Sequence, residues 1–448
     1  MSRPQQRHDE AALVRVGLIG CGNVGAAFLA IVDDEAEVIA ERTGIRLDVS
    51  RVAVRDSSRR RAPFLDEKRV ADRLTEDADG LVRADNVDLV VELIGGVEPA
   101  RTLVLTALKA GKPVVTANKE LLAACGAQLL EAAEEAGVDL LFEASVAGAV
   151  PLVRLLKESL AGEQITRLTG IVNGTTNYVL TKMSEEGVDY PEALAEAQAL
   201  GFAEADPTAD VEGYDAAAKA AILAGIAFDA DVVAADVHRE GITGVGASDI
   251  DFAHRLGYEV KLLAVAERCG STTFAPISVR VHPAMVPAEH PLASVRGPFN
   301  AVFVEGTAAG ELMVYGSGAG GRPTASAVLG DVIQSAHHMK EGTSPRPVRR
   351  RQPVLRPMSE LRAQYYLSID VVDRPGVLAA VADVFGRHDV SIRSMEQVGL
   401  GNEARLVFIT HTAREAGVQA TIAELAGLES VETIGCVLRV IGEEKSAR

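Results

Sequence analysis

The alternation of apolar and polar positions along this 448-residue chain changes character twice, dividing it into three stretches. In the first, residues 13–19 (LVRVGLI) form a short apolar run that ends in Gly20-Cys21-Gly22-Asn23-Val24-Gly25 and passes at once into the helix-like AAFLAIV. Strand, glycine turn and helix in that order open a dinucleotide-binding βαβ unit: the glycines let the backbone approach a pyrophosphate, and the helix N-terminus offers free N–H groups. A second strand is predicted through 46–54. VDLVVELIGG (87–96) reads as a buried parallel strand followed by a helix over 98–110, and KPVVTANKELL begins another strand and helix. DLLFEASVAG (139–148) supplies one more strand.

From about 150 to 320 strands alternate with helices, as in RLTGIVNG and TTFAPISVRVHP, which predicts an antiparallel α+β domain. GSGAGGRPTASAVLGDVI (316–333) is a glycine-rich turn entering a long helix, fit either to close the first domain or to connect domains. The proline- and arginine-rich 341–360 reads as an exposed linker; as a basic patch for nucleic acid it is short and lacks interleaved aromatics. YYLSIDVV, a helix at 376–387, VSIRSMEQV, ARLVFITHT, a helix at 414–426 and VLRVI then give βαββαβ, a ferredoxin-like module. The predicted division is 1–148 completed by a helix near 318–340, 149–317, a linker at 341–362, and 363–448.

Composition narrows the class. Apolar content of 48% and charged content of 24% describe an ordinary globular protein, and the length calls for more than one core. A net charge of −18 argues against nucleic acid and anionic membranes as partners. MSRPQQRHDE lacks the apolar stretch of a signal peptide, and no apolar run reaches membrane-spanning length. Four scattered cysteines without CxxC spacing read as reduced thiols, so a cytoplasmic location is expected.

The chemistry concentrates in 199–219, ALGFAEADPTADVEGYDAAAK, where Glu204, Asp206, Asp210, Glu212 and Asp215 precede Lys219 with no other basic residue. On a helix Asp215 and Lys219 are i and i+4 and share a face. The pair fits a proton-transfer site for a small cationic substrate, and equally an ordinary surface ion pair behind an acidic loop. At the second strand end Arg55, with Arg59 to Arg61 behind it, suits a 2′-phosphate and hence NADP(H), while Asp56 leaves NAD(H) open. Lys119 follows the VVT strand at the ligand-binding edge of the sheet, facing nicotinamide and substrate or simply solvent. Asp373-Arg374-Pro375-Gly376 stands at a helix N-terminus fit to receive a carboxylate.

In order, GxGxxG, VVTANKELLA, FEASVAGAVPL, GIVNGTTNYVL, the 199–219 signature and GSGAGGRPTASAV resemble homoserine dehydrogenase, and the DRPGVL tail resembles the ACT domain appended to many of its members. The resemblance runs from about residue 14 to the end. It implies a Rossmann NAD(P)-binding domain, an α+β catalytic and dimerisation domain and a C-terminal ACT domain. The implied reaction is reversible interconversion of L-homoserine and L-aspartate 4-semialdehyde. By resemblance, Lys219 is the proton donor and acceptor, Lys119 a second catalytic lysine and Asp215 an orienting group. Glu204 binds the substrate ammonium, with Asp210 and Thr175 as further substrate contacts. Gly20, Gly22, Asn23, Val24, Gly25, Arg55, Lys119 and Gly318 hold the cofactor, and the loop of Glu143, Val146, Gly148 and Val150 holds a sodium ion largely through main-chain carbonyls. The ACT domain implies an amino-acid effector, threonine first, and a homodimer or homotetramer. The competing readings are an amino-acid-sensing protein carrying a retired dehydrogenase, and another Rossmann oxidoreductase of small amino or keto acids. Intact lysines and carboxylates oppose the first, and an acidic stretch suited to an ammonium substrate opposes the second.

Overall fold

The computed structural model describes residues 11–59, 65, 70–343, 350–399 and 403–441. Arg60, Arg61 and residues 344–349 of the predicted linker lie outside them. The chain folds into two compact units: residues 1–162, 225–233 and 316–351, and residues 163–224, 234–315 and 352–448.

In the first unit, β1 (Ala12–Ile19), β2 (Ile45–Ala53), β3 (Leu74–Thr75), β4 (Leu89–Glu92), β5 (Val114–Thr116) and β6 (Leu140–Leu141) form one parallel sheet in the order 3-2-1-4-5-6. That is the doubly wound dinucleotide-binding order, with its ligand crevice at the carboxyl ends of β1 and β4. Val16, Leu18, Val49 and Val91 are buried in the sheet, and Phe28, Leu29 and Val32 of helix Asn23–Asp34 cover them. Helix Gly321–Glu341 packs Ala325, Val328, Val332 and Ala336 into the same core. It runs close to the first helix because Gly321 has no side chain: a Cβ there would stand 3.0 Å from the Asn23 carbonyl. The strand expected over 139–148 is shorter. It stops at Leu141, and Glu143–Ser145 form a 3₁₀ turn because the Glu143 side chain folds back onto downstream amides.

The second unit is built on an 11-stranded sheet. β7 (Ile165–Ile171), β9 (Tyr258–Arg268), β10 (Ile277–Pro287), β11 (Phe299–Gly306) and β12 (Gly310–Ser317) make one end, with β8 (His238–Arg239) paired to β10. β13 (Arg362–Val372), β14 (Ile392–Gly399), β15 (Glu403–Thr410), β16 (Ala413–Arg414) and β17 (Val431–Val440) make the other. β13, β14, β15 and β17 with helices Val377–Arg387 and Glu415–Leu425 form the ferredoxin-like βαββαβ module, closed over Leu367, Ile369, Phe385 and Phe408. β17 also pairs in parallel with β10, so module and α+β portion share one continuous sheet. No described helix is long and apolar enough to cross a membrane.

Candidate active site

The first unit provides a nucleotide cradle. Gly20 has φ +99°, and a Cβ on it would meet the Leu93 carbonyl at 2.7 Å; a Cβ on Gly25 would lie 2.1 Å from the Gly20 carbonyl. Gly22 opens on empty space and caps helix Asn23–Asp34 without any side-chain hydrogen bond. Bare backbone, open room and uncapped N–H groups are what a pyrophosphate needs, so these residues fit a dinucleotide. Asn23 is exposed and Val24 half-buried against the core. Gly318 is buried against Gly148, whose Cβ would meet its carbonyl at 2.6 Å.

At the end of β2, Arg55 is exposed and forms no ion pair among the described residues. Beside it, Asp56 accepts from the Ser58 amide at 2.9 Å and hydroxyl at 2.6 Å. Lys119 is half-buried at the first turn of helix Lys119–Ala136. Asn118 caps that helix, its Oδ1 accepting from the Leu121 amide at 3.0 Å, and donates to the Gly96 carbonyl at 2.7 Å. Glu92, fully buried at the end of β4, takes the Thr116 hydroxyl at 2.6 Å and the Ile94 amide at 2.9 Å. Burial raises the Glu92 carboxyl against the pull of these bonds. Sequence reading missed Glu92 and Asn118; an acid closing an otherwise apolar buried strand, and an Asn ahead of a helix, are the signals that mark them.

The second unit gathers the acidic signature around a lysine. Lys219 Nζ donates to Asp215 Oδ2 and to the Val172 carbonyl, both at 2.7 Å, as i,i+4 neighbours on helix Tyr214–Ala227. Both side chains are buried, Lys219 at 9% exposure and Asp215 at 6%, so this is not the exposed ion pair of the alternative reading. Asn173 joins them: its Nδ2 donates to Asp210 at 2.6 Å and Asp215 at 2.9 Å. Its Oδ1 accepts from the Thr176 amide at 2.8 Å and caps helix Gly174–Glu186. Thr175, on that first turn, donates its hydroxyl to the Phe202 carbonyl at 2.6 Å. Glu204 is exposed two residues further on, and no described contact draws its carboxylate into the lysine cluster. The structure thus brings Asp210, Asp215 and Lys219 together, with Thr175 fixing the segment that carries Glu204. Asn173 was missed, though Asn-Gly ahead of an apolar helix is itself a cap signal.

The 143–150 loop belongs to the first unit. Glu143 accepts from the amides of Val153 and Arg154 at 2.8 Å each, so its carboxylate holds the next helical segment. Ala147 and Gly148 have consecutive left-handed φ values of 56° and 58°, and Val146 and Val150 are buried around this tight turn. No cluster of three carboxylate, His or Cys side chains able to hold a metal occurs among the described residues. A cation here would therefore rest on main-chain oxygens, which suits a weakly bound monovalent ion.

Asp331, another residue missed from sequence, anchors this loop to helix Gly321–Glu341 by accepting from the Glu143 amide and from Arg154, both at 2.8 Å. Burial, aided by the Glu143 charge, pushes its carboxyl up to about 6.

Three family models match: "Homoserine dehydrogenase, NAD binding domain" over residues 20–143, "Homoserine dehydrogenase" over 151–333 and "ACT domain" over 365–430. The homoserine dehydrogenase of Mycobacterium tuberculosis is 49% identical over 437 residues, covering 96% of this chain and 98% of that one. That of Corynebacterium glutamicum is 48% identical over 429 residues, covering 95% of each. Among solved structures, a homoserine dehydrogenase from Thiobacillus denitrificans superposes with a TM-score of 0.88 at 38% identity, over 96% of this chain and 98% of that one. A hyperthermophilic archaeal homoserine dehydrogenase mutant in complex with NADPH matches with a TM-score of 0.59 at 29% identity, over 72% of this chain and 98% of that one.

The raised Asp331 carboxyl has a stability consequence. The folded protein holds this proton more tightly than the unfolded chain, so stability falls as pH rises from the ordinary carboxylate range to about 6. A shift of this size corresponds to at most about 3 kcal/mol. Asp331→Asn should lessen the fall of stability with pH in that window, leaving the shares of Glu143, Glu92 and Glu305, whose carboxyls burial also raises. Urea midpoints between pH 4 and 6.5 test this, and an unchanged slope contradicts it.

Proposed function

Because the chain belongs to the homoserine dehydrogenase family, we propose that Lys219 is the group that moves the proton in its reaction. The reaction is the reversible interconversion of L-homoserine and L-aspartate 4-semialdehyde with a nicotinamide cofactor, in the route to threonine, methionine and isoleucine. The observation that carries the proposal is the buried ammonium of Lys219, held at 2.7 Å by Asp215 and by the Val172 carbonyl. An ammonium has three N–H donors, and those two acceptors take two of them, leaving the third for a substrate oxygen.

When bound, the nicotinamide supplies or accepts the hydride at C4. In the reducing direction Lys219 stabilises the negative charge growing on the aldehyde oxygen and delivers a proton to it. In the oxidising direction the same nitrogen accepts the hydroxyl proton. Asp215 and Asn173 fix where the nitrogen sits. Glu204 and Asp210 bind the substrate ammonium, and Thr175 holds the Phe202 carbonyl just ahead of Glu204; the exposure of the Glu204 carboxylate suits it to meeting a ligand from solvent. Lys119, at the edge of the nucleotide-binding sheet, is the second lysine at the reacting end.

NADP(H) is the preferred cofactor on this reading. Arg55 is exposed and unpaired among the described residues, while an oxygen of Asp56 is engaged by Ser58. A sodium ion on the carbonyls of Val146, Gly148 and Val150 would fix the loop beside Glu143 without entering the chemistry. The uncapped start of helix Val377–Arg387, at Gly376 with φ 92°, suits the carboxylate of an amino-acid effector, threonine first. A homodimer or homotetramer is supported by the edge strand β12, which leaves Leu312, Met313 and Tyr315 exposed. No disulfide joins any of the four cysteines, which supports a cytoplasmic enzyme.

Lys219→Ala should cut turnover by about a thousandfold or more while nicotinamide binding persists. Turnover near that of the parent protein sinks the assignment. The same assay with added threonine and with sodium replaced by a large organic cation tests both of those roles. Arg55→Ala should raise KM for NADP about tenfold and leave that for NAD unchanged, since only the former loses a charge-assisted contact. Equal effects on both cofactors would remove Arg55 from 2′-phosphate recognition.

A further inference from the structure

The C-terminal module reaches the acidic signature through one arginine. Arg439, on β17 and 5% exposed, faces two carboxylates. It donates to Glu240 through Nη1 and Nη2 at 2.7 and 2.8 Å, and to Glu415 through Nε and Nη2 at 3.1 and 2.8 Å. Glu415 belongs to the same module and also takes the Tyr365 hydroxyl at 2.6 Å. Glu240 does not; it follows β8, its amide donating to the Val281 carbonyl of β10 at 2.8 Å. Only a planar guanidinium offers the geometry for two forked pairs at once. Burial works against the Glu240 carboxylate, yet His238 and Arg439 hold it well below the usual range.

Glu240 lies in a segment, 238–243, that clasps the acidic turn. On one side of Glu240, Arg239 donates to the Glu212 carbonyl at 3.3 Å and lays its guanidinium 3.4 Å from the centre of the Tyr214 ring. On the other, the Ile242 amide donates to the Val211 carbonyl at 2.9 Å and the Thr243 hydroxyl to the Glu212 carboxylate at 3.1 Å. Between them Gly241 presses so closely that a Cβ would stand 2.4 Å from the Val211 carbonyl oxygen. The clasped residues, 211–214, are the short link from Asp210 to Asp215, the two carboxylates that Asn173 gathers beside Lys219.

We propose that Arg439 is a positioning residue for the substrate site: by fixing Glu240 it holds the 238–243 clasp, and with it the turn between Asp210 and Asp215, in register with Asn173. The proposal rests on the assignment of that turn to substrate binding made above. Removing the guanidinium leaves the half-buried Glu240 and the buried Glu415 carboxylates without their shared cation, so the segment carrying Glu240 must move or protonate. The strain falls on the turn that presents Asp210, and substrate affinity is where it registers.

The test uses full-length Arg439→Lys and Glu240→Gln, with homoserine saturation curves at saturating NADP. Tyr366→Phe is the control. Tyr366 ties the module to Asp249 at 2.8 Å, and none of its described contacts is with the acidic turn, so it reports what loosening the module alone does. Both variants should raise KM for homoserine about tenfold, with kcat within about threefold of the parent and nicotinamide affinity unchanged. Tyr366→Phe should lower the melting temperature and leave that KM where it was. An unmoved KM in folded Glu240→Gln overturns the proposal, even if Arg439→Lys fails to fold, and so does an equal rise in Tyr366→Phe. Failure of the underlying reading is distinguishable, because it shows as an unmoved KM for homoserine in Asp210→Ala, whatever Glu240→Gln does.

Discussion

The side-chain amide of Asn173 is the interaction on which the cluster of Asp210, Asp215 and Lys219 depends. One NH₂ group bridges Asp210 and Asp215, while the oxygen of the same amide caps helix Gly174–Glu186. Two acids brought this close repel unless donors stand between them, and a buried carboxylate without donors tends to take up a proton. Asn173 supplies donors from one side and Lys219 from the other. The lysine is in turn fixed by the carbonyl of Val172, the residue before that asparagine. A two-residue stretch after β7 therefore sets the position of Lys219 Nζ, its counter-charge and the start of the next helix together. Few substitutions at Asn173 can satisfy all three demands.

Much of this architecture is legible in the residues. The glycines at 20 and 25 announce the cradle because no other residue fits where a Cβ would strike a carbonyl, and Gly22 leaves the space beside them open. The i,i+4 spacing of Asp215 and Lys219 announces their contact, and strand–helix periodicity gives the βαββαβ tail. What escaped were residues whose meaning lies in distant partners. Asp331 reads as one acid in a helix, and only the fold puts it on the Glu143 amide. Glu92 reads as the end of an apolar strand, and only the fold supplies Thr116 and Asn118. The strand expected over 139–148 stopped early because a buried glutamate preferred downstream amides to the sheet, a choice that periodicity does not encode.

The least legible feature is the pairing of β17 with β10. Those strands are far apart in sequence, and the composition of the intervening segment points to a linker rather than to a shared sheet. Sheet continuity gives the C-terminal module a rigid connection to the elements that carry the acidic turn. Buried ties at Asp249 and Glu415 and a half-buried one at Glu240 strengthen it with directional bonds. Such ties lose more when one partner is removed than they contribute while whole, which makes the junction sensitive to small displacements.

The central claim is that a buried, hydrogen-bonded Asp215–Lys219 pair performs the proton transfer. The most direct measurement is kcat/KM for the reduction of L-aspartate 4-semialdehyde by Asp215→Asn, a change that keeps side-chain size while removing the counter-charge and one acceptor oxygen. A loss of about a hundredfold or more, with reduced-nicotinamide affinity and folded stability retained, is the predicted result. A kcat/KM equal to that of the parent enzyme would contradict the account.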